Sequence, residues 1–329
     1  MRGKMEPIIM TKERVTKMFP VDKEPKIMTL NKPLIIQVSC PGWQIGGARF
    51  PAVPCTIEEQ AKELADSIKA GAVVIHVHPR NPKTCLTEIN TALLKEVLDA
   101  TFDKVGDCVT FSHTWYPHAN GDVDYITDTE ELLEWGQGNK YCQGTVILPV
   151  GHAAEAEKST FSHKTTGEGL KWLEAHDVKP LYQLYDTSAQ LHFKDYMDRG
   201  VSTWKPYNLH VNLGKHDSTA IHQDPESFLN AIANLEIVKK TFPNAIYGWR
   251  SGGRNWLPLL MMGIMLGVDL VQVGIEDAYW RWPHRDEIIE KNSECVKWAV
   301  EIANILGRRV VTDPNEARAI CGVKLTSKL

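Results

Sequence analysis

Two histidines separated by one residue close an apolar run, VVIHVHPR at 73–80. On a β-strand alternate side chains share a face, so His76 and His78 point one way while Ile75 and Val77 point the other. A carboxylate from a second strand would complete a three-ligand set with one coordination position left open, the pattern of catalytic rather than structural zinc. Glu276, at the end of VDLVQVGIED, is the carboxylate this reading selects. Without it, His-x-His equally describes two satisfied polar residues at a strand end.

Such ligands need strands to hold them, and the chain supplies a regular series. After an arm at 1–32 with no clear period, short β-branched runs alternate with amphipathic helical patterns. Strands are predicted at 34–39, 72–78, 108–112, 144–149, 180–185, 207–214, 245–249 and 268–274. Helices are predicted at 57–70, 88–101, 128–137, 167–176, 187–199, 225–241, 255–266 and 286–306, the first opened by Thr56 and Glu59 in capping-box register. Strict alternation implies a parallel sheet, and the count fits a (β/α)8 TIM barrel over 33–329, including a C-terminal tail. In such a barrel the first strand borders the second and the eighth, so the ends carrying His76, His78 and Glu276 converge.

Chemistry in a barrel sits at the C-terminal strand ends, and those positions are polar here. They include Gln44 after the first strand, Ser112, His113 and Trp115 after the third, and His152, Asp186, Asn212 and Arg250 further on. Asp277 stands beside the third ligand. SGGRNW at 251–256 opens a helix with a Gly-Gly turn, which can present backbone N–H groups to an anion beside Arg254. The remaining histidines and the paired acidic residues read as solvated surface. Ser112 has no visible His-Asp relay.

Composition bounds the alternatives. A net charge of −4 with no dense basic run argues against a nucleic-acid partner. The longest apolar stretch, LPLLMMGIMLGVDL, is too short and interrupted to span a bilayer. Seven cysteines without CxxC spacing imply reduced thiols and a cytoplasmic location. The arm and the WRWPHR loop are the segments expected to make subunit contacts in a homo-oligomer.

Together VIHVHPR, PCTIEEQAKELADSIKAGA, GWRSGGR, GVDLVQVGIED and VTDPNEARAI resemble the β-keto acid cleavage enzymes, from about Pro33 to Ile320. The resemblance implies a Zn2+-dependent barrel that condenses a β-keto acid with acetyl-CoA, giving acetoacetate and a new acyl-CoA. It implies that His76, His78 and Glu276 hold the metal and that Asp277 acts as base. It also implies that Ser112 contacts substrate and that Arg254 binds an anionic group.

The chain departs from that family's pattern around the substrate. Gln272 stands where the family has an arginine, removing a charge that would orient the base; Gln44 replaces a glutamate; His113-Thr114-Trp115 replaces Thr-Gly-Gly; Leu181 stands at an acidic position. Gln44, His113, Trp115 and Gln272 are therefore the expected substrate-binding set. The alternatives are a CoA-independent zinc hydrolase or aldolase and, from another class, a non-catalytic ligand-binding barrel. Trp43, Trp115, Trp249, Trp280 and Trp282 near strand ends either pack the barrel rim or face a bulky or cationic substrate.

Overall fold

Every apolar run singled out in the sequence contains a strand. The computed structural model describes residues 10–18, 21–40, 42, 52–88, 90–111, 113–114, 125–135, 139–141, 143–147, 163–185, 187–214 and 225–326. Its strands are β1 (Ile35–Ser39), β2 (Val74–His76), β3 (Val109–Thr110), β4 (His113–Thr114), β5 (Gly144–Ile147), β6 (Pro180–Leu184), β7 (Asn208–Leu213), β8 (Ile246–Ser251) and β9 (Leu270–Val273). They form one sheet in the order β3-β2-β1-β9-β8-β7-β6-β5-β4, with every pairing parallel. The architecture is α/β with a curled, TIM-barrel-like sheet. As expected, β1 lies between the strand bearing His76 and the strand leading to Glu276.

Between the strands run α2 (Ile57–Ala70), α3 (Thr91–Val105), α4 (Tyr125–Trp135), α5 (His163–Ala175), α6 (Thr187–Asp198), α7 (Pro225–Thr241), α8 (Trp256–Met265) and α9 (Asn292–Ile305). The α2 capping box forms as predicted, Thr56 accepting from Glu59 N–H and Glu59 reaching back to the cap. Two further helices lie in the arm and tail, where no periodic run of useful length flagged them. They are α1 (Lys12–Met18), which buries no residue, and α10 (Pro314–Cys321). The third predicted strand, 108–112, contains β3, paired to β2; β4, paired to β5, lies just beyond its predicted end.

Strand alternation divides the apolar residues into two cores. Leu34, Ile36, Val38, Ile75, Val77, Leu209, Val211, Val271 and Val273 face the helices and join one large cluster. The opposite parity, Ile35, Val74, Val109, Leu181 and Leu270, forms a separate cluster inside the sheet with Val311, Ala317, Cys321 and Val323 of the tail. The tail thus seals the interior at the N-terminal strand ends. Arg308 fastens it there by donating to the carbonyls of Lys32, Pro33, Ile264 and Val268, and Arg318 by a double bond to Asp107 at 2.7 and 2.6 Å. One layer further along the same strands, the interior residues become Gln37, His76, Gln183, His210, Arg250 and Gln272. An apolar base therefore supports a polar layer.

One expectation from composition needs correction: Cys55 and Cys85 are joined as a disulfide, with Cα atoms 4.9 Å apart. That separation lies in the normal range for a bridge. The pairing joins the residue before the α2 cap to the turn after β2, a proximity that cysteine spacing cannot reveal. Among the described residues, no helix is long and apolar enough to cross a membrane.

Thr56→Ala removes the Oγ1 that accepts from Glu59 N–H, leaves the backbone N–H of residue 56 bonded to Glu59, and should cost about 1 kcal/mol of stability, read as a lowered denaturant midpoint. An unchanged midpoint would mean the capping box contributes nothing.

Candidate metal centre

His76 ends β2, and His78 follows on the same face. Their Nε2 atoms lie 3.0 Å apart, and each lies 3.3 Å from a different oxygen of Glu276. Among the described residues, these three form the one cluster of His, Cys, Asp or Glu able to hold a metal ion. All three are buried. The Nδ1 of His76 lies 2.7 Å from the carbonyl of Phe111; donating its proton there leaves Nε2 as a bare lone pair facing the cluster. Burial, followed by the opposed influences of Glu276, His78 and Arg250, pushes the His76 pKa down to about 3, so the ring stays neutral and able to ligate.

Glu276 is carried by a tight turn just beyond β9. Gly274, at φ +139°, begins it in a conformation that suits glycine, and a Cβ there would meet the carbonyl of Ser39. Asp277 N–H donates back to Gly274 C=O at 3.2 Å, and Ile275 N–H donates to Asn292 Oδ1 at 2.9 Å. Gly42 packs so closely against Glu276 that a Cβ would strike its side chain. Arg80 and Thr87 donate to the Gly42 carbonyl.

The residue that sequence reasoning left outside the site set is Arg250. Its guanidinium is buried and reaches both consecutive carboxylates: Nη2 lies 2.5 Å from Glu276 Oε1, and Nε donates to Asp277 Oδ1 at 2.7 Å. Burial alone would lower its pKa, but Asp277 and then Glu276 hold it well above the ordinary value. Gln272 donates to the other oxygen of Asp277 at 2.8 Å and accepts from Gln37 at 3.1 Å. Ser39 donates to Glu276 Oε2. The expected loss of charge beside the base is thereby corrected. Arg250 is the register partner of Gln272 on the neighbouring strand and brings a guanidinium to the same carboxylate.

Other predicted residues fall elsewhere. Arg254 lies beyond β8, donating to Arg285 C=O and Asp286 and stacked 4.1 Å from the Trp280 ring centroid. Trp249 is fully buried on the helix side, donating to Leu259 C=O, so it packs the scaffold and does not line the interior. Trp280 faces Arg254, and Trp282 stacks with Trp298. Leu181 lies in the apolar base, and it is Gln183 that reaches the polar layer. His113 lies on β4. Gln44, Ser112, Trp115, Trp43, His152 and Asp186 lie outside the described residues.

The interior strand face also carries His210, which the sequence reading did not single out, and Asn212, which it named only as a polar strand-end residue. Both are buried, and among the described residues neither the ring nitrogens of His210 nor the amide atoms of Asn212 have a hydrogen-bond partner. The available signal was their spacing, since YNLHVNLG places Asn208, His210 and Asn212 at alternate positions of one strand. Burial first, then Arg250 and His76, pushes the His210 pKa down to about 3.

The donor set suits a divalent cation. Two imidazoles and two carboxylates share a buried space with one guanidinium, an arrangement in which two anionic groups face one permanent cation. A metal ion would offset that excess, bound by His76, His78 and Glu276.

Known proteins resemble this chain over most of its length. The family model described as beta-keto acid cleavage enzyme matches residues 33–323. A 3-keto-5-aminohexanoate cleavage enzyme of Fusobacterium nucleatum is 26% identical over 294 residues, covering 88% of this chain and 98% of its own. A 3-dehydrocarnitine:acetyl-CoA trimethylamine transferase of Rhizobium meliloti is 22% identical over 318 residues, covering 92% and 99%. Among solved structures, a ternary complex of ObcA with a C4-CoA adduct and oxalate superposes with a TM-score of 0.60 at 15% identity. That match covers 83% of this chain and 68% of the other.

Two outcomes test the site's construction. Gly42→Ala forces Glu276 or its loop to move, so metal affinity should fall about 10- to 100-fold while helix content is retained. Unchanged affinity in a metal titration would separate Gly42 from the site. For His210, a folded pKa near 3 means that the unfolded chain alone binds a proton as pH falls below about 6.5. Its contribution to stability is therefore complete above that pH and declines toward pH 3, by about 1.4 kcal/mol per pH unit. Urea titrations at two pH values between 6.5 and 5 should show this slope in the wild type and its loss in His210→Gln. Equal slopes would show that His210 is not held neutral.

Proposed function

The chain belongs to the beta-keto acid cleavage enzyme family, and on that premise we propose that it is a Zn2+-dependent acyltransferase on a β-keto acid and acetyl-CoA. The observation that carries this reading is the joining of the His76, His78 and Glu276 cluster to Asp277 through one buried guanidinium. A relative whose name includes acetyl-CoA, and which aligns over nearly its whole length, supports the co-substrate. We also take the sheet to close as a (β/α)8 barrel, because β3 and β4, which end the strand order, are two pieces of one run.

His76, His78 and Glu276 would hold Zn2+, which would supply Lewis acidity and so raise the acidity of the substrate's C2. Asp277 then takes a proton from C2. Arg250 and Gln272, each holding one of its oxygens, keep the carboxylate aimed as it takes that proton. The C2 carbanion forms a bond to the acetyl carbonyl carbon, and the CoA thiolate leaves. Attack of the thiolate on the original keto carbon breaks its bond to C2 and gives the new acyl-CoA. Asp277 returns the proton to C2, completing acetoacetate, so atoms and electrons balance without an external oxidant. Ser112 is assigned to substrate contact. Arg254, exposed at the mouth side of β8, is assigned to the anionic groups of CoA; its present partner Asp286 is itself exposed.

Elemental analysis combined with mass spectrometry of products from a β-keto acid panel tests the reading. Near-stoichiometric zinc, lost in His76→Ala, should accompany acetoacetate and acyl-CoA formed only when acetyl-CoA is supplied. Asp277→Asn should retain metal and lose about 10²- to 10⁴-fold in kcat. Products formed without acetyl-CoA would replace this reading with a CoA-independent lyase.

A further inference from the structure

The interior of the sheet holds polar groups that the steps above do not use. Along β7, Asn208, His210 and Asn212 share the interior face. Asn208 is satisfied at the base, where its amide donates to Cys321 C=O at 3.0 Å. His210 and Asn212 stand higher, 1% and 2% exposed, with both ring nitrogens and both amide atoms unpartnered. Gln183, the register partner of His210 on β6, adds a third unpartnered oxygen, Oε1. Buried polar atoms without protein partners are rare and call for a ligand or an ordered water.

Two features aim this group toward the metal centre. Asn212 is the register partner of Arg250, whose guanidinium binds Glu276 and Asp277. The His210 ring occupies the place where a Cβ on residue 248 would lie, so Gly248 makes the notch that lets it lean across β8. The unused groups and the reacting carboxylates therefore face one interior space, on adjoining strands.

Their chemistry specifies what they accept. A neutral imidazole offers one donor and one acceptor, and the Asn212 amide offers two donors and an acceptor, with no charge on either. Arg250 is already committed to two carboxylates, and Glu276 and Asp277 are committed to Arg250. An ammonium or a carboxylate brought to His210 and Asn212 would therefore be a buried charge held by uncharged partners, since Arg250, Glu276 and Asp277 are already committed to one another.

We propose that His210 and Asn212 recognise the end of the β-keto acid remote from its carboxylate, and that this end carries an uncharged hydroxyl or carbonyl group. This rests on the acyltransferase reading and narrows its substrate class. His210 and Asn212 set specificity and take no part in proton transfer.

Calorimetric titration of the zinc-loaded full-length protein, without acetyl-CoA, tests it with four acids of equal chain length. These are 5-hydroxy-3-oxohexanoate, 3,5-dioxohexanoate, 3-oxohexanoate and 5-amino-3-oxohexanoate. The first two should bind about tenfold more tightly than the last two. Asn212→Leu and His210→Phe should each bring the hydroxyl-to-methyl preference within about twofold, whereas His210→Gln, which keeps a donor and an acceptor, should retain it. Metal content measured alongside reports whether each variant is folded around the ligands. Tightest binding of the amino acid, or a preference unchanged in both apolar variants, overturns the proposal and leaves His210 and Asn212 solvated by water. Failure of all four acids to bind the wild type overturns instead the β-keto acid reading beneath it.

Discussion

One buried guanidinium organises the centre of this protein. Arg250 projects from β8 between two consecutive carboxylates of the next strand's turn, and the three side chains are almost wholly withdrawn from solvent. Charges so placed are costly unless each is paired and hydrogen-bonded, and removing one partner of such a set typically costs about 3–5 kcal/mol. The arrangement is correspondingly restrictive. Glu276 is directed at the two histidines, Asp277 is directed beside them, and neither can rotate away without giving up its bond to Arg250. Gln37, Gln272 and Ser39 extend the restraint to β1 and β9, so four side chains from three strands hold the two acids of the turn.

The scaffold makes that concentration of polar groups tolerable. At the N-terminal strand ends the interior is filled by branched aliphatic side chains and closed by α10, with the backbone clipped by Arg308 and Arg318. Hydrophobic packing at the base and outside the sheet supplies the stability against which a polar layer can be held.

The substitution at Gln272 illustrates how a site can be kept while its residues move. In a parallel sheet, register partners on neighbouring strands present side chains to the same face, so a cation can be supplied from position 250 as readily as from position 272. The amide left at 272 then serves the second oxygen of Asp277. The altered surroundings therefore still hold the Asp277 carboxylate by both oxygens.

Much of this was legible in the chain itself. Period-two alternation fixed the faces of His76 and His78, the strand and helix rhythm fixed the parallel sheet, and the neighbours of β1 followed from closing that rhythm. These are local properties, governed by backbone geometry and side-chain polarity. What the linear order could not carry was the pairing across strands. Arg250 lies 26 residues before the carboxylate it binds, Cys55 and Cys85 meet through two loops, and Trp249 turns outward because its parity opposes that of Arg250. Register, close approach at Gly42 and Gly248, and the desolvation that leaves His210 and Asn212 without partners arise only when the sheet curls and brings distant segments into one low-dielectric interior.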